Sequence, residues 1–203
     1  MNSSADYRSN LIQHLLAIAF SVILIWPIKS SAKNPEVGGD FSLTDHNSQQ
    51  FELQQLRGKI VLLFFGYTYC PDICPTELAE AAQLVQTLGS ESRDIQILFV
   101  TVDPSRDTPE HLKEYMSFFS PNMIGLSGSD EEIKAVTAAY HVQSQSNRKS
   151  ASDQNYTVDH SASLFVIDQT GKLASIVPYG FPRTHVGKIV RHLLRADQGD
   201  DGA

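Results

Sequence analysis

The chain holds two cysteines, Cys70 and Cys74, within the run Gly66-Tyr67-Thr68-Tyr69-Cys70-Pro71-Asp72-Ile73-Cys74-Pro75. A thiolate is both a nucleophile and a soft metal ligand, so a pair this close in sequence can close a disulfide, hold a metal, or alternate between the two. Soft sulfur donors select Cu(I) foremost and also Zn(II). A structural zinc site wants four protein ligands, and two cysteines leave it short. In an exported chain the plainer reading of a bare Cys-x3-Cys is a disulfide that pins the loop to the helix after it. The spacing by itself leaves these alternatives open.

The neighbours of the pair say how it is presented. It joins the apolar run Ile60–Phe65 to a helical pattern that starts at Pro75. Loops at such strand-to-helix junctions of α/β proteins commonly carry function. Proline suits the first helical position and disfavours helical geometry in the residue before it, which predicts Cys74 as the N-cap. The positive end of the helix dipole would then lower the pKa of its thiol. A second candidate group, Val158-Asp159-His160-Ser161, stands at the entrance to the apolar run Leu164–Ile167, where its side chains emerge at a loop edge of the sheet. Spacing does not single out His160. His46, His111, His141, His185 and His192 read as ordinary polar surface residues.

The elements that position these residues follow from hydrophobic periodicity. Phe41–Thr44 and Phe51–Leu53 alternate apolar and polar residues around the polar stretch Asp45–Gln50, which predicts a hairpin. Ile60–Phe65, Ile95–Val102 and Leu164–Ile167 are nearly continuous in apolar residues, as in strands covered on both faces. Pro75–Leu88, the segment after Thr108-Pro109, and Asp130–Tyr140 carry helical apolar faces. Residues 143–155 are polar throughout and read as an exposed loop. The strand Leu173–Val177 and a last helix bearing Val186, Val190 and Leu194 complete an α/β layer arrangement with a central mixed sheet flanked by helices.

The domain is read as residues 38–195, and 196–203 as a disordered acidic tail. Residues 1–32 read as a membrane anchor or signal. Leu11–Ile28 is apolar over nearly the ~20 residues that cross a bilayer, and Ser30-Ser31-Ala32 fits a signal peptidase site. A stretch longer than the ~7–15 residues of a signal core favours the anchor. Arg8 on one side and Lys29 and Lys33 on the other leave its orientation undecided. The net charge of −7 makes nucleic acid an unsuitable partner, since phosphate would repel this surface.

Across Gly38–Leu194 the sequence resembles the Sco/SenC family, copper-binding thioredoxin-like proteins needed to assemble cytochrome c oxidase. Four segments carry the resemblance: Phe64–Pro75, Val100–Glu110, Phe119–Gly128 and Val158–Ser161. It implies a thioredoxin-like fold in which Cys70, Cys74 and His160 ligate one copper as Cu(I) or Cu(II). Asp159 is a candidate to orient His160, or a solvated loop acid. Asp103, Arg106 and Asp107 shape a strand-to-helix loop or receive a partner.

The implied function is a copper metallochaperone for the binuclear site of cytochrome c oxidase subunit II, or for another copper protein, with a second copper chaperone as a possible donor. A thiol-disulfide reductase acting on the target cysteines and a redox or copper sensor are the alternatives; a peroxiredoxin-like peroxidase lacks a motif of its own here. The resemblance also implies an anchor in the bacterial inner membrane with the domain facing the periplasm, or the equivalent mitochondrial arrangement. The Ser-, Gln- and Asn-rich stretch 141–157 departs from the family pattern, which bears on partner choice.

Overall fold

Alternate residues of a strand point to opposite faces, and the buried strands here use both. In Ile60–Gly66 (β3), Ile60, Leu62 and Phe64 enter one core while Val61, Leu63 and Phe65 enter the other. The strand is therefore apolar without interruption, as the sequence predicts. The computed structural model describes residues 37–150 and 152–198. The expected anchor or signal segment and the end of the acidic tail lie outside them. Among the described residues no helix is long and apolar enough to cross a membrane.

The hairpin forms from Ser42–Asp45 (β1) and Gln50–Glu52 (β2), paired antiparallel with Leu43 opposite Phe51. The remaining strands are Ile95–Thr101 (β4), Met123–Ser127 (β5), Ser144–Ser146 (β6), Val158–His160 (β7), Ser163–Ile167 (β8) and Leu173–Pro178 (β9). Seven of them make one sheet in the order β2-β1-β5-β4-β3-β8-β9. The centre, β3-β4-β5, is parallel, and β8, β9 and β1 add antiparallel. Helices Ile73–Thr87 (α1), Pro109–Ser117 (α2) and Arg183–Gln198 (α4) cover one face, and Asp130–Ala139 (α3) packs on the other. This is the thioredoxin-like arrangement expected, a mixed sheet between helices. Arg183 ties α4 to α1 by ion pairs with Glu77 and Glu80.

Two helices carry side-chain caps at their N-termini. Thr108 accepts from His111 N–H ahead of Pro109, and Ser129 with Glu132 forms a capping box. The first helix differs: it starts at Ile73 with Asp72 as N-cap, so Cys74 lies inside the first turn rather than before it. Pro75 is compatible with this, because the N–H groups of a first turn need no intrahelical acceptor.

Three further departures concern polar or short elements. Met123–Ser127, quoted above only for its resemblance, is a strand that extends the parallel centre. The stretch expected as a loop contains β6, which pairs antiparallel with β7, Ser144 opposite His160, in a second two-stranded sheet. Every residue of β6 is exposed, so no apolar alternation announced it; backbone hydrogen bonds alone define it. The last helix continues to Gln198, three residues into the stretch read as a tail.

Candidate metal centre

Three side chains from two distant segments converge at the end of β3. Cys70 Sγ, Cys74 Sγ and a ring nitrogen of His160 all lie within 4.8 Å of one another. Cys74 Sγ is 3.4 Å from His160 Nε2, and Cys74 N–H donates to Cys70 Sγ at 3.5 Å. Among the described residues this is the one group of three such side chains placed to hold a metal ion. The donor set fits a three-coordinate ion. Metal–sulfur and metal–nitrogen bonds of about 2.0–2.3 Å set such ligand atoms about 3.5–4 Å apart, within reach of small rotamer changes here.

Each ligand is placed by its element. Cys74 is fully buried under the sheet, and Gly66 at the end of β3 makes room for it. Cys70 is half-buried, its N–H donating to the Tyr67 carbonyl in the turn between strand and helix. His160 ends β7, its ring meeting Tyr67 and Phe64 edge to face at 5.9 and 6.2 Å. We assign the Nδ1–H tautomer from its 3.2 Å contact with the Ser161 carbonyl, which leaves the Nε2 lone pair toward sulfur. Burial lowers the His160 pKa, so the ring is neutral and ready to ligate at neutral pH. A shallow cavity of about 450 Å³ bounded by Gln143, Gln145, Asp159 and His160 opens beside the imidazole.

The Cys74 thiol runs against the sequence expectation. Burial pushes its pKa far up, and nearby Cys70 adds to the shift. A helix N-terminus is worth about 0.3–1 kcal/mol, whereas full burial moves a pKa by several units at about 1.4 kcal/mol each, so desolvation wins over the dipole. Cys74 therefore keeps its proton until a cation enters and supplies the missing charge.

His160 Nδ1 meets the Ser161 carbonyl rather than the Asp159 carboxylate. Successive residues on a strand point to opposite faces, and the exposed Asp159 carboxylate accepts from Asn147 Nδ2 at 3.1 Å. Asp103, Arg106 and Asp107 do shape the loop between β4 and α2. The buried Asp107 carboxylate accepts from Thr68 N–H, Thr68 Oγ1 and Thr101 Oγ1, at 3.0, 2.6 and 2.6 Å, which fixes the turn that leads to Cys70.

Two histidines are more than surface residues. His111 Nε2 lies 2.9 Å from Thr68 Oγ1 with its ring stacked on Tyr69, and His46 Nδ1 accepts from Gly125 N–H at 3.0 Å. Gly66 and Tyr67 were not singled out for the site by the sequence, because their contacts with Cys74 and His160 join distant segments.

Residues 29–195 match the SCO1/SenC family model. The SCO2-like protein of Rickettsia felis is 43% identical over 139 residues, covering 68% of each chain. Mitochondrial SCO2 of Saccharomyces cerevisiae is 42% identical over 67% of this chain, which spans 46% of that longer protein. Among solved structures, Bradyrhizobium japonicum ScoI with copper bound superposes with a TM-score of 0.69 at 36% identity, over 78% of this chain and 98% of that one. Yeast Sco1 with copper bound gives 0.72 at 37% identity, over 78% and 88%. The chain belongs to the SCO1/SenC family.

Proposed function

We propose that this protein carries one copper ion on Cys70, Cys74 and His160 and delivers it during assembly of cytochrome c oxidase, to the binuclear site of subunit II. The observation that carries this reading is the convergence of two sulfurs and one imidazole nitrogen within 4.8 Å, with Nε2 turned to the buried thiol. Soft sulfur with imidazole suits copper. Two thiolates and a neutral imidazole leave bound Cu(I) at net charge −1 and Cu(II) neutral, so neither oxidation state meets a large charge penalty. Cys70 and His160 are only half-buried, so an incoming ligand from an acceptor protein has access to the ion, while Cys74 anchors it from below. The family's copper-bound relatives support the same reading. In this proposal the N-terminal segment anchors the domain at the bacterial inner membrane, facing the periplasm.

The test is copper stoichiometry and affinity of the reduced protein. About one copper per chain is expected, with a thiolate-to-Cu(II) charge-transfer band when oxidised copper is used. Loss by orders of magnitude is expected in Cys70→Ser, Cys74→Ser and His160→Ala. Equal occupancy in the cysteine variants would reject the site.

One observation favours a second reading, thiol-disulfide exchange. Both cysteines are free thiols, and their sulfurs lie close enough for rotamer changes to join them. Exchange needs an attacking thiolate and a resolving cysteine but no imidazole. The raised Cys74 pKa weighs against that residue as the attacking group. His160→Ala should abolish oxidase assembly at limiting copper if copper delivery is the function, and should leave assembly intact if exchange is.

A further inference from the structure

We propose that Arg106 is a positioning residue that holds His160 in register with the cysteine pair. The proposal rests on the copper reading above. The two halves of the centre arrive separately: Cys70 on the loop from β3 to α1 and Cys74 in the first turn of α1, the histidine on β7, which belongs to the small second sheet and pairs only with the exposed β6. One guanidinium touches both halves. Arg106 Nε donates to Asp103, and Nη1 donates to the carbonyls of Tyr156 and Gln154, at 3.0 and 3.3 Å, just ahead of β7. Its carbon lies 3.6 Å from the Tyr156 ring centroid and 4.6 Å from that of Tyr69, the residue before Cys70.

This cluster is built rather than incidental. The Arg106 side chain is 6% exposed, and so is that of Asp103. Tyr156 Oη donates to Asp103 Oδ1 at 2.7 Å and accepts from Arg148 Nη2 at 2.7 Å, so the ring that meets Arg106 is itself fixed. Arg106 Nη2 is buried with no oxygen partner, which ties the planar group to the tyrosine rings rather than to a further acceptor. A planar fork that lies on aromatic faces while donating to two carbonyls is a task for arginine, which lysine cannot reproduce. Moving it removes a tie between the chain before β7 and the cysteine loop, and the imidazole at the end of β7 loses part of what sets its position.

Arg106→Lys tests this, since it keeps a positive charge beside Asp103 and loses the fork. In the full reduced chain we expect copper affinity to fall about 10-fold or more, the size typical of residues that orient metal ligands. In a His160→Ala background the same substitution should cost nothing further, because the group it positions is gone. Without metal, the imidazole NMR signals of His160 should shift and broaden while those of His46 stay unchanged. Equal losses in both backgrounds, or unmoved His160 signals, would overturn the proposal. Should Arg106→Lys fail to fold, Tyr69→Leu at a ring 54% exposed removes one of the contacts and should give the same pattern more weakly. If His160→Ala itself leaves copper affinity intact, the copper reading fails, and the metal-free signals still decide the role of Arg106.

Discussion

Gly66 ends β3 at a point where no side chain fits. A Cβ there would lie 2.8 Å from Cys74 Sγ, 2.8 Å from Phe99 Cε2 and 3.0 Å from Phe64 Cε1. Phe64 and Phe99 are rigid core rings, so the sulfur is the atom with most freedom to give way. Gly66→Ala should therefore cost about 1–3 kcal/mol by overpacking and weaken copper binding as the thiol is displaced. Denaturant melts and copper titrations check both; unchanged affinity in a destabilised variant would mean that the sulfur returns to its place when metal binds. The two thiols were legible from residue type and spacing, since few other residues can do their chemistry. The choice of His160 among seven histidines was not. It came from the resemblance, because a histidine at a strand entrance carries no mark of what it faces across 86 residues of chain. Gly66 was silent for the same reason.

Elements whose residues alternate or run apolar were mostly legible, although the short apolar β5 was missed, and pairings that depend on backbone bonds between polar residues or on side chain to backbone contacts were not. The β1–β5 junction is an example. Only Thr44 and Asp45 pair with β5, opposite Ser127 and Leu126, and His46 then continues the edge with its ring, accepting from Gly125 N–H. The acceptor is Nδ1, which must be unprotonated. Burial lowers the His46 pKa, Lys113 lowers it further, and Asp45 opposes. The folded state therefore binds its proton less readily than the unfolded chain. The contribution of His46 to stability is full above the unfolded value of about 6.5 and is lost as pH falls from there through the lowered folded value. His46→Asn offers an amide oxygen that does not titrate. Chemical denaturation at several pH values should show wild type losing stability relative to this variant as pH falls below about 6.5, by about 1 kcal/mol at most, the net worth of one hydrogen bond. A constant difference across the range would show that His46 does not act through Nδ1.

At the scale of the molecule, the layer order was readable from the alternation of strands and helices, but how β7 is brought to the cysteines was not. That arrangement has a thermodynamic consequence. In the folded chain the three donors stand together, whereas in the unfolded chain only Cys70 and Cys74 remain neighbours, and recruiting His160 means closing a long loop. Copper on all three should therefore prefer the native state and stabilise it by mass action, about 4 kcal/mol when free Cu(I) stands a thousandfold above its dissociation constant. For a domain of this size each kcal/mol raises the melting temperature by about 2–4 °C, so calorimetry of the reduced protein should show a rise of about 10 °C with buffered Cu(I). In His160→Ala the native and unfolded chains offer the same pair of sulfurs, and the rise should shrink to a small fraction. An equal rise in both proteins would mean that the imidazole takes no part in holding the ion, and that the two cysteines alone account for any copper bound.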